Sequence, residues 1–180
     1  AGVLLQKIRA EKDRLIEEKK IRRSKPLDPI DESECGFELP SNWAWERLGN
    51  LGDWGAGATP SRSNSNYYGG KIPWFKSGEL TADFIAESEE TVTDAALRDC
   101  SLRLNQVGDV LIAMYGATIG KTAILSVVAT TNQAVCACTP FEGLSNTYLL
   151  LLLKALKPYF IGLGAGGAQL RLEQHLLLAG

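Results

Sequence analysis

The sequence has few of the residues from which most enzyme and metal sites are built. Among its 180 residues there are only one histidine, His175, and four cysteines. The cysteines, Cys35, Cys100, Cys136 and Cys138, lack the paired C-x-x-C spacing of zinc sites, and we expect them to be reduced. No nucleophile–base–acid set can be assembled around this single histidine, and no paired carboxylates with a lysine stand at a nuclease spacing. We therefore expect neither a metal site nor catalysis.

Long hydrophobic runs and an excess of positive charge are also missing. The apolar run at 148–153 is far shorter than the roughly 20 residues of a membrane span, and no basic segment followed by an apolar one opens the chain. We expect a cytoplasmic protein without a membrane partner. The formal net charge is −2, although residues 1–25 alone carry nine Lys and Arg against four Asp and Glu. A nucleic-acid-binding role would need the remaining cations to gather on one face.

The first segment reads as a charged helix. Residues 3–23 contain no Pro or interior Gly and are rich in helix formers, which predicts a helix about 30 Å long. Its apolar positions form a narrow stripe: Leu5, Ile8, Leu15 and Ile16. Such a stripe suits either a helix packed on its own domain or one that needs a partner helix, and we favour the partner. Pro26 and Pro29 then stop the helix and begin an acidic linker over 26–42.

The remainder reads as short strands with few helices. Apolar runs bounded by Gly, Asn, Ser and Pro predict strands at 47–51, 72–75, 107–113, 123–128 and 134–138. A leucine-rich segment predicts a buried helix over 146–160, with Asn146 as its N-cap and Pro158 near its end. The glycines at 162–167 predict a loop. The fold class is therefore α+β: a compact domain of short strands with few helices, preceded by a long charged helix.

The segment G-A-T-I-G-K-T at 116–122 is close to a phosphate-binding P-loop but does not match it. Only three residues separate Gly116 from Gly120, where that loop has four, and the following residues read as a strand and not a helix. We therefore expect no ATPase activity and interpret Gly116 and Gly120 as turn residues.

Residues 59–77 form a polar loop without a single carboxylate. The hydroxyls, amides and cations of this loop are Thr59, Ser61, Arg62, Asn64, Ser65, Asn66, Lys71, Lys76 and Ser77. Arg and Lys can donate to guanine, Asn and Gln can bridge adenine, and hydroxyls and cations can hold phosphates. The segment suits either a plain solvated loop or a DNA-reading loop, and we predict DNA contacts.

Five motifs follow one another along the chain: G-A-T-P at 57–60, Y-Y-G-G-K-I-P-W at 67–74, G-A-T-I-G-K-T at 116–122, T-N-Q at 131–133 and G-G-A-Q at 166–169. In this order and spacing they resemble a target recognition domain from the specificity (S) subunit of type I restriction–modification enzymes. The resemblance implies a conserved-region helix at 1–25, a recognition domain at 43–170, and a truncated or divergent end at 171–180.

The resemblance also implies a role. It suggests that the chain binds double-stranded DNA without catalysis and directs methylation (M) and restriction (R) subunits to one half of a bipartite site. S-adenosylmethionine, ATP and Mg²⁺ would be bound by those partner subunits and not by this chain, and the N-terminal helix could form a homodimer. Further DNA contacts are expected at Tyr115, Thr118, Lys121 and Gln169, whereas T-N-Q is expected to be structural. The alternative is a protein-interaction module, without DNA binding, built on a coiled-coil helix.

Overall fold

The structure, a computed structural model, describes the backbone of residues 1–35, 37–164 and 176–179. Contacts divide the chain into two compact units, and this division crosses the domain limits expected from sequence. The first unit comprises residues 1–53, 140–145 and 171–180, and the second comprises 54–139 and 146–170. The N-terminal helix and the linker therefore belong to the same unit as the start of the expected recognition domain.

In the first unit, helix α1 spans Gly2–Glu17 and is shorter than the predicted helix to residue 23. The helix ends because Lys19 adopts a left-handed φ of 57°. The amides of Lys19 and Lys20 then donate back to the carbonyls of Ile16 and Leu15, at 3.0 and 2.9 Å, which is a Schellman end. Strand β1 (Ala44–Arg47) pairs antiparallel with strand β10 (Leu176–Ala179). The expected strand at 47–51 is instead a 3₁₀ turn, Leu48–Asn50.

Helix α1 packs on its own unit. Leu5 is 7% exposed and Ile8 is 1% exposed within the single chain, and Arg9 donates to Glu46 of β1 at 3.1 Å. The expectation that Leu5 and Ile8 contact a partner helix was therefore wrong, because the unit itself covers them. The other two residues of the predicted stripe, Leu15 and Ile16, are half-buried.

The acidic linker is fixed by a buried arginine. The guanidinium of Arg47 donates to both carboxylate oxygens of Glu34, at 2.7 and 2.8 Å, and to the carbonyls of Asp28 and Pro29, at 3.1 and 3.0 Å. The hydrogen bonds from Arg47 and from the Asp31 amide lower the pKa of Glu34 to about 2. This part of the linker is thus held along β1.

The described residues of the second unit form two sheets and three α-helices. The five-stranded sheet has the order β2 (Gly52–Ala56), β9 (Val135–Pro140), β6 (Val110–Ala113), β7 (Thr122–Leu125) and β4 (Phe84–Ile85). The three-stranded sheet has the order β5 (Glu90–Val92), β3 (Tyr68–Phe75) and β8 (Thr130–Thr131). The helices are α2 (Asp94–Asp99), α3 (Asn146–Ala155) and α4 (Lys157–Gly164). The predicted α+β class is confirmed, and four predicted strands correspond to β3, β6, β7 and β9.

The single helix predicted over 146–160 is two helices. The chain breaks at Leu156, and Pro158 is the second residue of α4, where its missing N–H removes no helical hydrogen bond. Pro158 therefore helps to start a helix instead of ending one. The described part of the predicted glycine loop, at Gly162, lies inside α4. Among the described residues, no helix has both the length and the apolar character needed to cross a membrane.

Strand β3 links the two hydrophobic clusters of the second unit. Successive residues of a strand face opposite sides. Trp74 accordingly packs with Val92 and Leu102, whereas Phe75 joins the cluster that contains Leu111. Trp74 is 2% exposed and Phe75 is fully buried. The C-terminal end of β3 is thus a rigid platform for the polar loops around it.

Candidate nucleic-acid interface

Two of the sequence motifs meet beside the end of β3. The amides of Gly57 and Ala58 donate to the carbonyls of Val135 and Thr131, each at 3.0 Å. A side chain at position 57 would overlap the main-chain oxygens of Thr131 and Asn132. Gly57 is therefore required for this close approach, and the G-A-T-P and T-N-Q motifs form one joined structure.

Aromatic donors fix the loop that follows Gly57. The hydroxyl of Tyr68 donates to the carbonyl of Pro60 at 2.6 Å, and the indole N–H of Trp74 donates to the carbonyl of Ala58 at 3.1 Å. Burial raises the pKa of the Tyr68 hydroxyl, which keeps it protonated as a donor. Both aromatic side chains also belong to one hydrophobic cluster, so they pack the loop onto the core. The loop main chain is consequently preorganised.

An exposed polar pair crosses the junction of the two motifs. The hydroxyl of Thr59 donates to the side-chain oxygen of Gln133, and both residues are exposed. The Gln133 amide therefore lies in a defined orientation at the surface, beside a residue expected to contact DNA. The sequence placed Gln133 in a structural turn, and its exposure gives it a second potential role as a hydrogen-bond donor to a ligand.

The turn between β6 and β7 lies against the same junction. The amide of Met114 donates to the carbonyl of Ala134 at 2.8 Å, next to Gln133. Gly116 and Gly120 have φ values of +73° and +75°, so the prediction that both are turn residues is confirmed. Tyr115 and Thr118, expected to contact DNA, are half-buried in this turn, where the Thr118 hydroxyl donates to the Tyr115 carbonyl at 3.4 Å.

Two of the expected phosphate-binding cations share one carboxylate. The guanidinium of Arg62 donates to both oxygens of Glu90, at 2.5 and 3.0 Å, and lies 4.4 Å from the centre of the Tyr68 ring. Lys76 donates to Glu90 at 3.2 Å and to Glu89 at 2.6 Å. The hydrogen bond from Arg62, with a further one from Lys76, lowers the pKa of Glu90 to about 2. The two cations are brought together but neutralised.

A third expected cation is connected to this pair. The ammonium of Lys121 donates to the carbonyl of Gly78 at 3.3 Å, in the 3₁₀ turn that follows Lys76. Lys71 is exposed on β3. Gln169 lies outside the described residues. Contacts thus connect Arg62, Lys76 and Lys121.

The remaining polar residues of the loop divide into structural and exposed ones. The side-chain oxygen of Asn64 accepts the amide of Asn66 at 3.2 Å and caps the 3₁₀ turn Ser65–Tyr67. Ser61 pairs with the Ser63 hydroxyl at 2.8 Å. The side chains of Ser65 and Asn66 are exposed, whereas Ser77 is half-buried. Asn66 is therefore better placed than Asn64 to meet a ligand.

Sequence reasoning missed the acidic partners of this surface. Glu90 lies on β5 in register with Trp74 of β3, which places it beside Arg62. It also missed Lys154 and Lys157, which lie at the junction of α3 and α4. The leucine-rich pattern of residues 146–160 did not indicate that Lys154 and Lys157 would lie beside the turn at Gly120.

The geometry agrees with the family to which the sequence is similar. A family model described as the type I restriction modification DNA specificity domain matches residues 40–178. The chain belongs to this family, which confirms the resemblance identified from its motifs.

Individual relatives share part of the chain. The MjaIX specificity subunit of Methanocaldococcus jannaschii is 32% identical over 126 residues, covering 68% of this chain and 29% of that protein. The EcoR124I/EcoR124II specificity subunit of Escherichia coli is 28% identical over 109 residues, covering 58% of this chain and 27% of that protein. The chain thus spans less than a third of these curated relatives.

Solved structures show the same fold. The HsdS subunit from Thermoanaerobacter tengcongensis superposes with a TM-score of 0.63 at 21% identity, covering 98% of this chain and 41% of that one. A chain from a structural study of complex assembly in the type I R-M system also gives a TM-score of 0.63, at 22% identity, with coverage of 98% and 42%.

Proposed function

We propose that this chain is the DNA-reading part of a type I specificity subunit and binds duplex DNA through the surface around Gly57, Gln133 and Tyr115. The observation that carries the proposal is the meeting of three sequence motifs at one end of the second unit, where main-chain and aromatic hydrogen bonds hold a loop of exposed polar side chains. A preorganised polar loop of this kind can match the donors and acceptors of a DNA groove.

The residues divide between the two tasks of such an interface. Arg62, Lys76 and Lys121 would contact phosphates, with hydroxyls from Ser61 and Ser77. Ser65, Asn66, Thr59 and Gln133 present hydroxyl and amide groups that can read base edges, because a carboxamide can pair with adenine N6 and N7. Tyr115 and Thr118 would support this surface from the adjacent turn.

In the proposed complex the chain performs no chemistry. It would direct methylation and restriction subunits to one half of a bipartite site, in the cytoplasm, and those subunits would bind S-adenosylmethionine, ATP and Mg²⁺. A homodimer would have to use surfaces other than Leu5 and Ile8, such as Leu15 and Ile16. The competing function is a protein-interaction module whose second unit binds no DNA.

Salt-dependent DNA binding separates the two functions. We expect the full chain to bind a fluorescent duplex with an affinity that falls as salt rises, because phosphate contacts release counterions with a slope of about −0.9 per phosphate. Triple replacement of Arg62, Lys76 and Lys121 by glutamine should flatten that slope. Absence of DNA binding at low salt would favour the protein-interaction module, whereas salt-dependent binding that the triple variant leaves unaffected would assign the phosphate contacts to other residues.

A further inference from the structure

We propose that a second basic site, the lysine groove, binds the phosphodiester backbone of the same DNA. The groove is formed by Lys121, Lys154 and Lys157 around Asp83, and it is an open depression of about 480 Å³ in the second unit. The inference rests on the proposed DNA-binding function and extends the phosphate contact proposed for Lys121 to Lys154 and Lys157, which lie outside the polar loop.

Three separate segments build the groove. Its lining comes from residues 80–83, from residues 120–122 and from Lys154 and Lys157. Gly120 lets the segments approach, because a Cβ there would lie only 2.7 Å from Cγ of Lys157, and its φ of +75° also disfavours other residues. The aliphatic stem of Lys157 therefore packs on the turn that carries Lys121, and both lysines line one depression.

The groove concentrates positive charge in a unit that has no net charge. Residues 54–139 and 146–170 carry eight Lys and Arg and eight Asp and Glu, yet three of these cations and only one acid line the groove. Asp83 pairs with Lys154. Lys121 contacts the neutral carbonyl of Gly78 at 3.3 Å. An anion entering the groove would thus meet an excess of positive charge.

The lining favours a phosphate backbone over a protein partner. Among the described residues that line the groove, only Leu80 and Ala82 are apolar and none is aromatic. Cores of protein interfaces are typically apolar and rich in aromatic residues, whereas phosphates are bound by lysines, hydroxyls and main-chain groups. Here the lysines are accompanied by the hydroxyls of Thr81 and Thr122.

The position of the groove favours the same DNA molecule that the polar loop would bind. The Lys121–Gly78 hydrogen bond connects it to the turn after Lys76, one of the proposed phosphate contacts. An acidic depression lined by Glu79, Glu87 and Glu89 shares Thr81 with the groove. Repulsion from those carboxylates would exclude phosphates from that side and direct a strand towards the lysines.

Two substitutions with opposite effects test the site in the full chain. Lys157→Gln keeps the methylenes that pack on Gly120 and removes one charge, so the slope of log K against log salt should become shallower by about one. Asp83→Asn should release Lys154 and make the slope steeper. Both changes should act equally on a random duplex and on a duplex carrying the recognised sequence. Arg98→Gln, an exposed charge on α2, is the matched control.

The outcomes distinguish this site from the proposed function. Wild-type chain that shows no salt-dependent DNA binding would overturn both. A second outcome is that the wild-type chain binds DNA with the expected slope of log K against log salt, while Lys157→Gln and Asp83→Asn give the same slope as Arg98→Gln. That result would overturn the lysine groove alone. If the Lys157→Gln and Asp83→Asn variants bind DNA as the wild type does but no longer bind a methylation subunit, the groove binds a protein partner. That result would also overturn the proposal. Circular dichroism of each variant checks that it is folded.

Discussion

Glu90 holds the two cations that a DNA phosphate would otherwise attract. Its carboxylate accepts hydrogen bonds from Arg62 and Lys76, so in the proposed complex DNA would have to compete with an internal anion for both side chains. Since the Arg62 side chain is 55% exposed, the ion pair contributes only about 0.5–1 kcal/mol after solvent screening. This is enough to weaken DNA binding without preventing it.

We therefore expect Glu90→Gln to tighten binding to duplexes of any sequence by about two- to five-fold, the equivalent of that ion-pair energy. Glu87→Gln removes the same charge from a neighbouring exposed acid and should have a smaller effect. Fluorescence anisotropy at fixed salt measures both. Equal gains in the two variants would mean that general electrostatics, and not release of Arg62 and Lys76, controls affinity.

Asn66 presents the clearest base-reading group in the polar loop, because its side chain is exposed while that of Asn64 caps the turn. Asn66→Ala should relax the preference at one base position, by about 1–3 kcal/mol if the contact is bidentate. Methylation-site profiling of the assembled enzyme measures this. Asn42→Ala, which removes an exposed amide from the first unit, should leave the methylated DNA sequence unchanged. If the methylated DNA sequence is unchanged in both variants, Asn66 does not read a base.

At the scale of elements, the junction at Gly57 is the most constrained point. Gly57→Ala should destabilise the second unit by about 1–3 kcal/mol, the usual cost of forcing atoms into a packed site, because the new methyl group meets main-chain atoms of Thr131 and Asn132. Gly78→Ala is the control, since nothing lies within 4 Å of its added Cβ. Urea unfolding midpoints measure both, and equal midpoints would contradict the required close approach.

The Arg47–Glu34 pair makes stability depend on pH. The folded-state pKa of Glu34 is about 2 and its ordinary value is 4.5, so its contribution is present above pH 4.5 and is lost as the pH falls towards 2. Glu34→Gln should lower the melting temperature at pH 7, and its difference from wild type should shrink towards pH 2. Glu32→Gln, an exposed neighbour, should show no such dependence. A Glu34→Gln difference that is constant with pH would contradict this assignment.

Elements with a strong local signal were predictable, and contacts between distant segments were not. Glycines at 116 and 120 and a Val/Ile-rich run identified the β6–β7 turn, because turn chemistry and apolar patterning act locally. The end of α1 was missed because Lys19 takes a left-handed conformation that sequence assigns to glycine. The burial of Leu5 and Ile8 and the pairing of Arg62 with Glu90 depend on tertiary contacts, which a helical stripe or a charge count does not encode.

At the scale of the whole molecule, we expect the segment that can be exchanged between specificity subunits to be longer than the recognition domain expected from sequence at 43–170. Strand β1 pairs with strand β10, so a functional piece has to include both ends of the family match at 40–178. Exchanging one recognition segment of a two-domain type I specificity subunit for residues 40–178 should change one half of the methylated sequence only. The unexchanged host is the control. Methylation-site sequencing that finds both halves altered, or neither, would contradict a one-domain, one-half-site arrangement.

The polar loop is attached to the second unit through its main chain. The anchoring groups are the amides of Gly57 and Ala58 and the carbonyls of Ala58 and Pro60, and the partners are main-chain carbonyls or buried aromatic donors. Exposed side chains such as those of Ser65 and Asn66 take no part in that attachment. Random drift can therefore exchange these side chains without unfolding the protein, and under the proposed function a lineage would acquire a new target sequence through a few substitutions while its scaffold stays the same.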